Sequence, residues 1–199
     1  MARKILVTYA SNAGSTTAVA QKIAEELQRS GLDVEVRAMA DVSDLSAYSA
    51  AIVGAPMILG WHRGATAFLK AHQQALQKMP TAYFVTSLEL TRTGASEIGG
   101  VPLFIDPMLG HVAKNSSKLS FKEKQTADRT YFKGVLHAAP GVKPVSVAFF
   151  GGALDYSKLK PLQKLFVRYV IGAKAGDYRN WSAITAWAGE IGSSLGAAA

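Results

Sequence analysis

The chain predicts a doubly wound α/β domain: a five-stranded parallel sheet in the order 2-1-3-4-5, helices on both faces, and a long insertion after strand four. Three observations lead there. Short apolar runs rich in β-branched and aromatic residues alternate with segments of helical period. Strands separated by helices imply right-handed crossovers, and therefore parallel pairing. The 199 residues, 49% of them apolar, suffice for one large domain with a substantial core and hardly for two.

KILVTYA (4–10) reads as the first buried strand, and Val19, Ala20, Ile23, Ala24 and Leu27 then recur at helical spacing until Gly31 ends the helix. In DVEVRAM (33–39) apolar and charged residues alternate, as in a half-exposed strand near a sheet edge. AAIVGA (50–55) is a third strand, followed by a loop and a helix over 63–78. TAYFVTSL (81–88) is the fourth strand and PVSVAFFGG (144–152) the fifth. A last helix starts near Ser182, with Ile184, Trp187, Ala188, Ile191 and Leu195 on one face.

Two segments exceed this plan. Residues 89–124 form a long connection punctuated by Gly and Pro, apolar enough to pack as a lid or wall. KLKPLQKLFVRYVIG (158–172) reads as a basic amphipathic helix opened by Pro161. Leu162, Leu165, Phe166, Tyr169 and Val170 form its apolar stripe, and Lys160, Lys164 and Arg168 lie opposite. Such a helix either packs on the sheet or lies on an anionic bilayer as a peripheral membrane contact, and it is too short to span one.

Composition removes several function classes. There is no cysteine, which excludes disulfides, thiolate catalysis and Cys-ligated metal, and no metal site is expected. No apolar run is long enough for a transmembrane helix, and MARKILVTYA passes straight into a strand without a signal-peptide pattern, so a cytoplasmic location is expected. The net charge of +8 is concentrated in residues 91–199, which hold 14 Lys/Arg against 7 Asp/Glu. A basic half suits an anionic partner, but no nucleic-acid motif accompanies it, and no nucleic acid is expected.

The chemistry starts at SNAGST (11–16), between the first strand and the first helix. Ligands of such sheets bind beyond the carboxyl ends of the strands. The hydroxyls of Ser11, Ser15 and Thr16, the Asn12 amide, the Ala13 and Gly14 backbone and the helix N-terminus can converge there on a phosphate. An ordinary capped helix start is the alternative. The loop has neither the lysine of GxxxxGK[ST] nor GxGxxG spacing, which favours a monophosphate.

SNAGST resembles the phosphate loop of flavodoxins, roughly [ST]-x-T-G-x-T, with Ala13 where that pattern has Thr. The resemblance implies a flavodoxin-like fold and FMN, with Ser11, Asn12, Ala13, Gly14, Ser15 and Thr16 holding its phosphate. The loops after strands three and four then flank the ring. Pro56, Met57, Ile58, Leu59, Gly60 and Trp61 are expected as an apolar wall, Trp61 either stacking on the ring or packing internally. Ser87, Leu88 and Glu89 are expected beside it, with backbone contacts from the stretch Thr86–Leu90.

GAPMILGWHRGATAFLKAHQQALQKMPTAYFVTSLELT (54–91) and VAFFGGALDYSKLKPLQKLFVRYVIGAKAGDYRNW (147–181) are similar to the menaquinone-dependent, oxygen-independent protoporphyrinogen oxidases, with 89–125 as the main departure. This resemblance implies a haem-biosynthetic oxidoreductase that takes electrons from a porphyrinogen and passes them to a quinone or a redox protein. His62, Arg92 and Arg179 are candidates for a catalytic role, though no acid/base residue stands out. The alternatives are a flavodoxin-like electron carrier with an acidic protein partner and a binding module that has lost the flavin. Association into an oligomer is compatible with each.

Overall fold

In the computed structural model the described residues are 4–58, 60–113, 115, 118–158 and 174–196. The strands are β1 (Lys4–Tyr9), β2 (Val34–Ala38), β3 (Tyr48–Pro56), β4 (Thr81–Ser87), β5 (Thr91–Arg92), β6 (Glu97–Ile98), β7 (Val101–Ile105), β8 (His111–Val112), β9 (Ser146–Gly151), β10 (Ala153–Leu154) and β11 (Gly176–Asp177). The helices are α1 (Ser15–Arg29), α2 (Arg63–Ala71), α3 (Gln73–Leu76), α4 (Phe121–Thr126), α5 (Asp128–Leu136) and α6 (Trp181–Gly196). The expected basic helix at 158–172 lies outside the described residues, apart from Lys158.

Alternation along each strand creates the two layers of the core. Ile5, Val7, Ile52, Phe84 and Phe150 face one side, where they meet α1 and α6. Leu6, Val53, Val85, Val147 and Phe149 face the other, against α2 and α5. Each large side chain fully buried this way contributes roughly 2 kcal/mol. On the first side Trp187 of α6 stands edge-on to Phe150, centroids 5.6 Å apart, and its indole N–H donates to Ser146 Oγ at 2.9 Å. Gly54 sits opposite Phe84 in the β3–β4 register, and a Cβ there would lie 1.9 Å from the Phe84 ring. Glycine is what lets the ring cross β3.

The sheet runs β2-β1-β3-β4-β9-β7-β6. Its first five members reproduce the expected order, with β9 as the fifth parallel strand. The insertion adds the rest. β7 pairs parallel with β9, Phe104 opposite Ala148, and turns through Gly99 and Gly100 to β6. Pro102 made this stretch read as a loop, but it sits near the start of the strand, opposite Glu97 of the edge hairpin, where a missing N–H is tolerated.

The helix expected over 63–78 is divided at His72, whose ψ of 12° departs from helical values and whose ring packs on Phe68 at 4.6 Å. The insertion is tied down by two buried carboxylates. Asp128 accepts from the N–H and Oγ of Thr93, both at 2.7 Å. Asp106, at the end of β7, accepts from Met108 N at 2.9 Å, Asn180 Nδ2 at 2.8 Å and Gly151 N at 3.4 Å. It therefore joins β7, β9 and the start of α6 at one point.

Candidate functional site

β1 ends in the 11–16 loop, and Gly14 takes φ +86° to redirect the chain into α1. No side chain caps α1 and no acidic residue occupies its first turn, so its leading amides face the loop without an internal acceptor. Ser11 Oγ accepts from Gly14 N at 3.0 Å, bracing the loop from within. Thr16 is buried and its hydroxyl lies 2.8 Å from that of Thr86, which ties the loop to the end of β4. Asn12 is met from the other side by His62, with Nε2 3.1 Å from Oδ1.

Beside the loop lies a cleft of about 280 Å³ at the carboxyl ends of the parallel strands. Asn12, Ala13, Ser15 and Thr16 form one end of it. Pro56, Met57, Ile58, Ser87, Leu88 and Glu89 line it from the loops after β3 and β4. Thr86, from the stretch expected to give backbone contacts, also lines it, and the remaining wall escaped sequence reasoning: Lys122, Thr126, Tyr131, Gly152, Ala153 and Leu154. Lys122, Thr126 and Tyr131 come from α4 and α5, and of the three only Lys122 falls within the expected insertion at 89–124. The Ser120–Glu123 capping box marks α4 in the sequence, but nothing local shows what that helix covers.

Several expected residues lie elsewhere. Trp61 is 8% exposed, donates its indole N–H to Ala55 O at 3.2 Å and packs on Tyr83, so it belongs to the core beneath the loop. The tight turn responsible, a bridge between Met57 and Trp61 with Gly60 at φ +116°, points Trp61 inward and leaves Ile58 exposed at the cleft. Gly60 does not line the cleft, and Leu59 is outside the described residues. Arg92 donates from one Nη to Pro107 O at 3.1 Å, inside the insertion. Arg179 forms a two-point pair with Asp177, lowering that carboxyl below its ordinary value, and stacks over Trp181 at 4.6 Å. Neither arginine reaches the cleft.

His62 stands on the outer side of the loop. It borders an open groove of about 640 Å³ with Ser11, Gly14, Thr17, Phe68 and His72. That groove is larger than the cleft, yet it gathers no residue from β4 or β9 and only the outer edge of the phosphate loop. The cleft, where four strand ends meet, is the better ligand site. Burial lowers the His62 pKa from its ordinary value, and burial raises that of the Tyr131 phenol beside Ser87.

The donors of 11–16 suit a phosphate, and the apolar cleft beside them suits a flat ring; the residues present fit FMN. They define a mononucleotide-binding α/β protein. The chain belongs to the flavodoxin domain family, matched over residues 6–180, and FMN is the cofactor of that fold. Among solved structures it is similar to the rubredoxin oxygen:oxidoreductase of Desulfovibrio gigas, with 14% identity, 98% of this chain and 36% of that chain covered, and a TM-score of 0.49. For the flavodiiron protein of Giardia intestinalis the values are 11%, 98%, 35% and 0.49. The chain thus spans about a third of the length of both. For the two-electron-reduced flavodoxin of Megasphaera elsdenii they are 15%, 73%, 84% and 0.43. No curated protein sequence matches. No helix among the described residues is long and apolar enough to cross a membrane.

Proposed function

We propose that the chain is an FMN-dependent oxidoreductase that withdraws electrons from a porphyrinogen and delivers them to a quinone, as menaquinone-dependent protoporphyrinogen oxidases do in haem biosynthesis. The observation that carries this reading is the wall built by α4 and α5. It encloses the cleft with Tyr131, Thr126 and Lys122, opposite Ile58, Leu88 and Leu154. With the flavin ring in the cleft, this wall is the face that a flat apolar substrate would meet, and Lys122, shared with Glu89, is the cation at the rim that a substrate carboxylate would approach.

FMN, when bound, supplies the two-electron chemistry. The chain's own residues bind and orient. Tyr131, with its phenol pushed up by burial, stays protonated and acts as a hydrogen-bond donor, not a base. Glu89 is held by Lys122 at 2.9 Å. Peripheral contact of 158–172 with the cytoplasmic membrane face belongs to the same proposal, since a quinone acceptor resides there.

Anaerobic mixing of the FMN-loaded protein with protoporphyrinogen IX tests it: bleaching of the flavin absorbance, then recovery on adding menadione, is the expected result. No bleaching overturns the substrate. A second reading, an electron carrier for a redox protein, is favoured by Ile58, which is 48% exposed at the cleft. Reduction by a flavodoxin reductase without any reaction with porphyrinogen selects it. Sedimentation with liposomes that is indifferent to anionic lipid removes the membrane contact.

A further inference from the structure

His62 precedes α2 and makes two hydrogen bonds with its ring. Gly64 N–H donates to Nδ1 at 3.1 Å, which requires an unprotonated Nδ1. The proton of the neutral ring is therefore on Nε2, which donates to Asn12 Oδ1 at 3.1 Å. Burial favours the same neutral form. The Asn12 amide is thereby oriented: its oxygen is engaged by His62, and its NH₂ remains the donating end. Asn12 lines the cleft while His62 lines the groove behind it, so the bond crosses the phosphate loop from back to front.

We infer that His62 is a positioning residue for the cofactor's phosphate. By fixing Asn12 it sets how strongly the protein prefers FMN to riboflavin, which lacks the phosphate. The role rests on FMN binding at the 11–16 loop. This loop has no lysine, so its affinity depends on neutral donors being aimed before the phosphate arrives. Asn12 is exposed, and its side chain has the freedom to turn away unless something holds it.

Fluorescence titrations of the apoprotein with FMN and with riboflavin test the role. His62→Ala is expected to weaken FMN about three- to tenfold, the usual worth of one hydrogen bond, and to leave riboflavin unchanged. Adding Asn12→Ala to His62→Ala is expected to cost nothing beyond the Asn12→Ala change alone, because the two residues act as one unit. Two conservative variants separate positioning from helix capping. His62→Gln carries an amide N–H at about the reach of Nε2 and is expected to restore FMN affinity. His62→Asn carries an acceptor that can cap α2 but is too short to meet Asn12, and it is expected not to. Equal losses for FMN and riboflavin, rescue by Asn as good as by Gln, or an unchanged His62→Ala would overturn the proposal. A wild-type protein that binds neither flavin overturns the cofactor and this role together, whereas normal wild-type binding with unaffected variants overturns the role alone.

Discussion

Lys122 Nζ lies 2.9 Å from Glu89 Oε1, joining α4 of the insertion to the loop after β4 at the edge of the cleft. The lysine side chain is 73% exposed, so the pair contributes little to stability. Its importance is electrical. Among the described residues that line the cleft, these two carry its only formal charges.

A cation at the cleft favours the electron-rich form of a bound flavin. Lys122→Met is expected to lower the two-electron midpoint potential by about 30 mV, equivalent to roughly 1.4 kcal/mol. Glu89→Gln moves it in the opposite direction. Redox titration of both variants checks this, and shifts of the same sign would refute it.

Ser15 opens α1 where no acidic residue is present. Ser15→Asp places a carboxylate where the 11–16 loop is proposed to hold the phosphate. It is expected to raise the stability of the apoprotein by about 0.5 kcal/mol through the helix dipole, and to weaken FMN more than tenfold. Chemical denaturation and flavin titration measure the two effects. Unchanged FMN affinity would place the phosphate elsewhere.

Asp106 collects three donors with no exposure of its own. Asp106→Ala leaves the buried Gly151 N and the half-buried Asn180 Nδ2 without this acceptor, at an expected cost of about 2 kcal/mol. Urea unfolding reads it. A loss no greater than that of an average surface substitution would mean the insertion is not anchored there.

His62 gives an acid-side dependence. Its folded pKa lies below the ordinary 6.5, so between those values the unfolded chain binds more protons than the folded one. The contribution is complete above pH 6.5, declines as pH falls through that value, and levels off once the folded form is also protonated. In His62→Gln the decline should be shallower. Denaturation midpoints measured at several pH values for both proteins decide it, and parallel curves would count against the assignment.

The five parallel strands were legible because each is a buried apolar run between helical periods, as with AAIVGA and TAYFVTSL. The phosphate loop was legible for the same reason, since it is local: six consecutive residues between a strand and a helix. β7 was not, because Pro102 and the neighbouring glycines imitate a loop, and the partner that makes it a strand lies beyond two helices. The same blindness applies to Lys122 and Tyr131, which meet Glu89 and Ser87 only through tertiary packing. Trp61 shows the converse. Its position in the loop allowed either stacking on the ring or internal packing, and the Met57–Trp61 bridge turns it into the core.

β7 precedes β9 in the chain yet lies outside it in the sheet. During synthesis its place beside Val147–Phe149 does not exist until the later strand has emerged and docked on β4. If β7 did not then add to it, β9, buried along its whole length in the finished protein, would present an apolar open edge, the kind that recruits other chains. The insertion, through β7, therefore also covers an edge that would otherwise invite association with other chains. Shortening it to mimic a minimal domain would cost solubility before it cost activity.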